Sequence, residues 1–176
     1  MRSSRTRLTV AWLLSLCAPI LCEGAEMFSS QQQKDAFLKA LAEEDKRYDP
    51  AEQMIRRPFS SPGYHTTLKG GDVHPTRDSL NYAVALLNSG EPGRLERAER
   101  ILRRVISLQD QDPNSRTYGI WSWFMEEPLE KMSPPDWNWA DFCGAQLLQV
   151  AIDHTDRLPA DLQRQVKDSI LHAGRG

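Results

Sequence analysis

Apolar positions recur at helical spacing in five parts of the chain, and no stretch shows the sustained alternation of a strand. The spacing predicts a helix over Gln32–Arg47, with Phe37, Leu38 and Leu41 on one side. A second follows over Asp78–Ser89, where Leu80, Ala83, Val84 and Leu87 keep the i, i+3, i+4, i+7 rule. The third covers Arg94–Gln109, with Leu95, Ala98, Ile101, Leu102 and Val105 in one stripe and Arg and Glu filling the rest. Trp139–His154 carries Phe142, Cys143, Leu147, Val150 and Ala151 in phase, and Ala160–His172 carries Leu162, Val166 and Ile170. The pattern predicts an all-α domain of antiparallel helical hairpins.

Charge sorts these helices into two kinds. The second and fourth have almost no charge over their middles and are expected to be buried on most sides. The third and fifth are expected outside, the Arg/Glu run of the third being a solvated face. Ser89-Gly90-Glu91-Pro92-Gly93 joins the second to the third in a tight turn, and Asp156 to Pro159 joins the fourth to the fifth. Two long connections precede the second and fourth helices. Unstructured connections of that length are uncommon in compact domains and are often functional. Antiparallel neighbours place both at one end, over two helix N-termini whose free N–H groups favour anionic ligands.

Composition narrows the classes. The 40% apolar and 26% charged residues exclude wholesale disorder, and a net charge of −2 gives no broad footprint for nucleic acid. No apolar run reaches the roughly 18 residues that spanning a bilayer needs, so no stable membrane insertion is expected. Arg2, Arg5 and Arg7 precede a short apolar stretch from Leu8 to Leu21 and small or polar residues at Cys22-Glu23-Gly24-Ala25. That is the build of a secretory signal peptide over 1–24, which leaves a helical domain over 25–176 exported to the periplasm or the extracellular space. Its removal takes three arginines and one glutamate, shifting the net charge from −2 to −4. Cys143 then stands alone in the mature chain and reads as a small buried hydrophobe. An internal disulfide and a cysteine-built zinc site are ruled out for that chain.

The long connections carry the candidate chemistry. Four of the five tryptophans fall within Trp121–Trp139. Tyr118, Trp121, Trp123 and Trp137 are candidates for stacking on sugar rings, with plugs over a helix end as the alternative; Trp139 is in phase with Phe142 and reads as core. Asp136 either caps the fourth helix one turn before Asn138 or supplies a carboxylate to a site. Glu126 and Glu127, before Pro128, read as a solvated turn. In the first connection, Pro75 and Thr76 mark a helix start with Thr76 as its cap. His65, His74 and Arg77 lie close by and offer a base and a carboxylate clamp, or simply hydrogen bonds that hold the loop. The histidines lack metal-ligand spacing, so no metal is expected, and no nucleotide or cofactor motif is present.

Tyr64-His65-Thr66-Thr67-Leu68-Lys69-Gly70-Gly71 through Trp137-Asn138-Trp139-Ala140-Asp141-Phe142, set among alternating inner and outer helices, resembles the N-terminal part of secreted (α/α) toroid proteins. These are the stacked-hairpin rings of polysaccharide lyases and several glycoside hydrolases. The resemblance implies an exported, glycan-active lyase or hydrolase domain acting on a polysaccharide or oligosaccharide. Trp121, Trp123 and Trp137 would stack on the sugar, and His65, His74 and Arg77 or Asp136 would supply polar or acid–base groups. Five helices form an incomplete ring, so a truncated fragment, a ring completed by a partner and a smaller bundle all stand as readings. The first two expose apolar faces and favour self-association. The alternative function is a non-catalytic exported module that binds glycan or protein.

Overall fold

The computed structural model describes residues 28–175; the signal peptide expected over 1–24 lies outside them. Five helices follow the sequence pattern closely: α1 (Gln31–Asp45), α2 (Thr76–Asn88), α3 (Pro92–Ile106), α4 (Asn138–Asp153) and α5 (Ala160–Ala173). Each start has a local cause. The Ser30 hydroxyl caps α1 by accepting from the Gln33 N–H at 3.3 Å. Prolines open three of the others: Pro75 precedes α2, Pro92 is the first residue of α3 and Pro159 precedes α5. Gly90, at φ +70°, makes the turn between α2 and α3.

The all-α expectation is corrected. The connection between α1 and α2 folds into two antiparallel two-stranded sheets: β1 (Tyr48–Asp49) pairs with β2 (Met54–Ile55), and β3 (Arg57–Ser60) with β4 (Gly70–Val73). Strands of two to four residues are too short to display a period of two, and β4 opens on Gly70-Gly71. Their register comes from backbone pairing, Arg57 opposite Val73 and Ser60 opposite Gly70, rather than from a side-chain pattern. Met54 and Ile55 are buried under α2, and the Ile55 N–H donates to the Ser79 hydroxyl at 3.0 Å.

The helices form two packed hairpins, α2 with α3 and α4 with α5, joined by contacts of α2 with α4 and α3 with α5. Leu80, Leu86, Leu87, Ile101, Leu102, Leu147 and Leu162 fill the space between them. A second cluster lies at the long-loop end, where Val73, Ile120, Phe124, Leu129, Met132 and Ala140 surround Trp123. Burial of this kind stabilises by roughly 25 cal/mol per Å² of apolar surface.

Two further expectations change. The arginines of α3 do not simply face solvent: Arg94 and Arg97 reach Asp45 at the end of α1, Arg103 reaches Asp161 on α5, and Arg104 reaches Glu52 beyond β1. The helix thus clamps three parts of the chain. Secondly, α2 and α4 are not equivalent. Eight of the 13 residues of α2 are buried, because α1, β2, α3 and α4 all cover it. Only four of the 16 residues of α4 are buried, since α2 and α5 leave its outer flank open and expose Phe142, Leu148 and Ile152.

Candidate functional site at the long-loop end

The two long connections lie against each other over the N-termini of α2 and α4. Backbone hydrogen bonds join them at three places: Thr76 N–H to Trp123 O, Met125 N–H to His74 O, and Ser133 N–H to His65 O. Thr76 is not the cap of α2. Pro75 holds that position, and the buried Thr76 hydroxyl donates to the Ser122 carbonyl at 2.8 Å while accepting from Trp139 Nε1 at 2.9 Å. One hydroxyl therefore ties α2, the second connection and α4 together. Buried polar groups tolerate such crowding only when all are paired.

A groove of about 710 Å³ opens beside this junction. Met125, Leu129, Met132, Pro135 and the Trp137 indole give it apolar lining; a polar wall holds Asp110, Ser115, Arg116 and Thr117, and Glu130 adds a carboxylate from the second connection. Trp137 is 50% exposed. The polar wall is a loop closed on itself: the Gly119 N–H donates to Asp110 O and the Asp110 N–H to Ile120 O. Within it the Asp110 carboxylate accepts from the Ser115 hydroxyl at 2.5 Å, the Thr117 hydroxyl at 2.6 Å and the Asp112 N–H at 3.0 Å. Burial raises the Asp110 carboxyl, but those donors outweigh it and hold the group below the usual carboxylate range. Arg116 is exposed and, among the described residues, has no ion-pair or hydrogen-bond partner. Volume and mixed lining both suit a small amphipathic ligand.

The aromatic candidates separate by burial. Trp121 is fully buried, its Nε1–H donating to the Val105 carbonyl at 2.9 Å, so it belongs to the core. Trp123 is buried at the centre of a column: His65 packs on it at 5.5 Å, Tyr64 meets it edge-on at 6.0 Å, and Trp139 lies 5.1 Å away and leads on to Phe142. Tyr118 packs on His172 at the end of α5, 5.3 Å between centroids. Of the four stacking candidates, Trp137 alone among the described residues lines the groove. Tyr64, 61% exposed at the outer end of the column, offers a second open ring.

The polar candidates each contact another part of the protein, three of them by hydrogen bonds and Arg77 through a ring at the surface. His65 Nδ1 lies 2.7 Å from the Pro134 carbonyl, and His65 adopts φ +58°. Asp136 accepts from Trp123 Nε1 at 3.0 Å with one oxygen and from the Asn138 N–H and Nδ2 with the other, a local turn just ahead of α4, whose cap position Trp137 holds. Arg77 lays its guanidinium 4.2 Å over the Phe142 ring, a cation–π contact rather than a carboxylate clamp. His74 is buried between two carboxylates, Nδ1 2.5 Å from Glu126 and Nε2 3.3 Å from Asp49. The Ala51 N–H, with a smaller contribution from His74, holds Asp49 below the usual carboxylate range despite burial. His65, Trp123 and Asp136 share one cluster, while His74 and Tyr118 stand apart from it.

Three features escape sequence reasoning. Glu127 is not a solvated turn: it is 1% exposed and accepts from both the N–H and the hydroxyl of Thr67 at 2.6 Å, pinning the first connection to the second. Burial raises its carboxyl, and hydrogen bonds from the Thr66–Leu68 segment override that and hold it low. Asp49 as the partner of His74 comes from a strand the pattern does not show. Arg116 and the Asp110 wall lie between predicted helices, where no periodicity exists to place them; the cluster of Asp, Asn, Ser and Thr is itself the signal of a self-bonded loop. Cys143 is buried beside Thr76, and burial pushes its thiol up to about 12. Among the described residues no group of three or more His, Cys, Asp or Glu is placed to hold a metal ion, and no helix is long and apolar enough to cross a membrane.

A family model described as a domain of unknown function, DUF8769, matches residues 34–176. The chain belongs to that family. The match takes in the groove, the aromatic column and all five helices apart from the first turn of α1, so the DUF8769 domain and the packed unit described above coincide. No curated protein and no solved structure matches the chain.

Proposed function

We propose that this DUF8769 protein is an exported glycan-binding module that holds a sugar ring against Trp137 in the long-loop groove. One observation carries the reading: an indole left half-exposed in a groove that is also lined by a self-bonded polar loop. A flat indole covers the apolar face of a pyranose, while Arg116, Ser115 and Thr117 reach its hydroxyls. The wall is preorganised by the Asp110 bonds, so little ordering is lost on binding.

Binding without catalysis is the better supported form. A lyase or hydrolase needs acid and base groups that face the bound sugar. None of His65, His74, Arg77 and Asp136 lines the groove; of the carboxylates that do, Asp110 is held by Ser115, Thr117 and the Asp112 N–H, which leaves Glu130 without a second free acid or base beside it. Export remains part of the proposal and rests on the sequence of residues 1–24.

The test is calorimetric titration with a panel of neutral and acidic oligosaccharides. At least one should bind, and Trp137→Ala should lose about 2 kcal/mol, roughly thirtyfold in affinity, the size of an aromatic anchor at a binding site. Failure of every glycan in the panel, or full affinity in Trp137→Ala, would overturn the proposal. New reducing ends or unsaturated product in the same mixtures would replace it with an enzymatic reading.

A further inference from the structure

The outer flank of α4 and the α5 surface beside it form an apolar face that the domain itself does not cover. Leu148 and Ile152 project along α4, Ile152 being 70% exposed, and Leu171 stands exposed on α5. Between the two helices runs a groove of about 550 Å³ with Leu148, Ala151, Ala160, Ile170 and Leu171 in its lining. Patches of this kind on a small domain mark sites of association.

Two features of the face say what covers it. The first is shape. A ridge, Leu148 and Ile152, and a groove bounded by the same helix lie side by side, so the face is both donor and receiver. An isologous two-fold contact needs that combination, since each copy must present its ridge and accept its partner's with one surface. The second is charge. Arg164 and Lys167 line the groove from α5, and among the described residues neither has an ion-pair or hydrogen-bond partner. On α3, by contrast, Arg94, Arg97, Arg100, Arg103 and Arg104 are all paired. The exposed carboxylate of Asp153 stands next to Ile152 at the end of the ridge, followed by Asp156. The ridge therefore ends in negative charge and the groove is flanked by positive charge.

We infer that the α4–α5 face is a homodimer interface, in which the α4 ridge of each copy seats in the α4–α5 groove of the other and Asp153 meets Lys167 across the two-fold. The inference stands apart from glycan binding, because the long-loop groove shares no lining residue with this face.

Sedimentation equilibrium of the wild-type chain from roughly micromolar to millimolar concentration tests it. A monomer–dimer equilibrium is expected. Ile152→Asp should leave only monomer, with an unchanged circular dichroism spectrum and the melting temperature of the dilute, monomeric wild type, because that side chain touches little of its own domain. Lys167→Asp should weaken the dimer tenfold or more, and adding Asp153→Lys to it should restore the affinity, since each copy then carries both reversed charges. A wild-type chain that stays monomeric throughout, or an Ile152→Asp variant that dimerises normally, overturns the inference. Two control arms separate other occupants: co-sedimentation with vesicles containing phosphatidylserine, and titration with a leucine-striped helical peptide flanked by glutamate. Binding in either arm by a chain that does not dimerise assigns the face to that ligand and overturns the homodimer.

Discussion

Gly119→Ala is the sharpest perturbation of the frame that carries the groove. Gly119 sits at φ +86°, and a methyl group there would lie 2.3 Å from the His172 carbonyl oxygen and 2.8 Å from its carbon. Those atoms are backbone at the end of α5, so the methyl cannot be accommodated by a side-chain swing. Reaching 3.0 Å requires a shift of 0.7 Å. The same junction holds Gln109, whose Nε2 donates to Gly119 O at 2.9 Å and Ser169 O at 3.0 Å, and these bonds stretch with it. The left-handed backbone costs about 1–2 kcal/mol for an L side chain, and overpacking against fixed backbone about 1–3 kcal/mol. Together these give about 3 kcal/mol, or roughly 9 °C in Tm for a domain of this size. Two variants separate the parts. Gly90→Ala shares a positive φ (+70°) but has nothing within 4 Å, so it should cost the backbone share alone, about 1–2 kcal/mol. Gly93→Ala, inside α3 with open space around it, should be neutral or stabilising by up to about 1 kcal/mol. Urea unfolding followed by tryptophan fluorescence gives all three. If Gly119→Ala costs no more than Gly90→Ala, the close approach of the loop to α5 is wrong.

The other predictions concern burial and titration. Trp121→Phe should lower stability by about 2 kcal/mol through the lost Val105 hydrogen bond and volume, yet leave glycan affinity of the folded protein unchanged; a loss of affinity at full occupancy of the fold would contradict its core role. His154 is held below 6.5, first by burial and then by Arg157. The folded state thus favours the neutral ring, and its contribution is complete above pH 6.5 and lost as the pH falls below it. An NMR titration that places His154 at or above 6.5 would refute this. Glu127 is held below 4.5, so its contribution is present above that pH and lost as the pH falls through the folded value. Glu127→Gln should therefore flatten the acid side of the stability curve, and parallel curves for the two proteins would count against the buried carboxylate.

The five helices were readable because their apolar stripes are long enough to show a period, and all begin within two residues of the expected start. Even the meeting of the two long connections followed from short turns at the opposite end. What stayed hidden was set by partners distant in sequence. The strands β1 to β4 are too short for a pattern and exist through pairing. Glu127 looked like a turn because its partner, Thr67, lies 60 residues away. Trp121 and Trp137 carry the same side chain, and only the packing distinguishes the buried ring from the exposed one. The exposed flank of α4 was masked by its lack of charge, which reads as burial whether or not a neighbour is there to bury it.

The indole N–H resonances give the most direct test of the groove. Trp121, Trp123 and Trp139 each donate to an internal acceptor, the Val105 carbonyl, Asp136 and Thr76, whereas the Trp137 ring stands in the groove. Titrating an oligosaccharide that binds should move the Trp137 indole cross-peak, assigned by its disappearance in Trp137→Phe, in a saturable way while the Trp121 and Trp139 peaks stay in place. A Trp137 peak that does not move at saturation, or a panel in which no sugar moves any indole, would contradict glycan binding at this site.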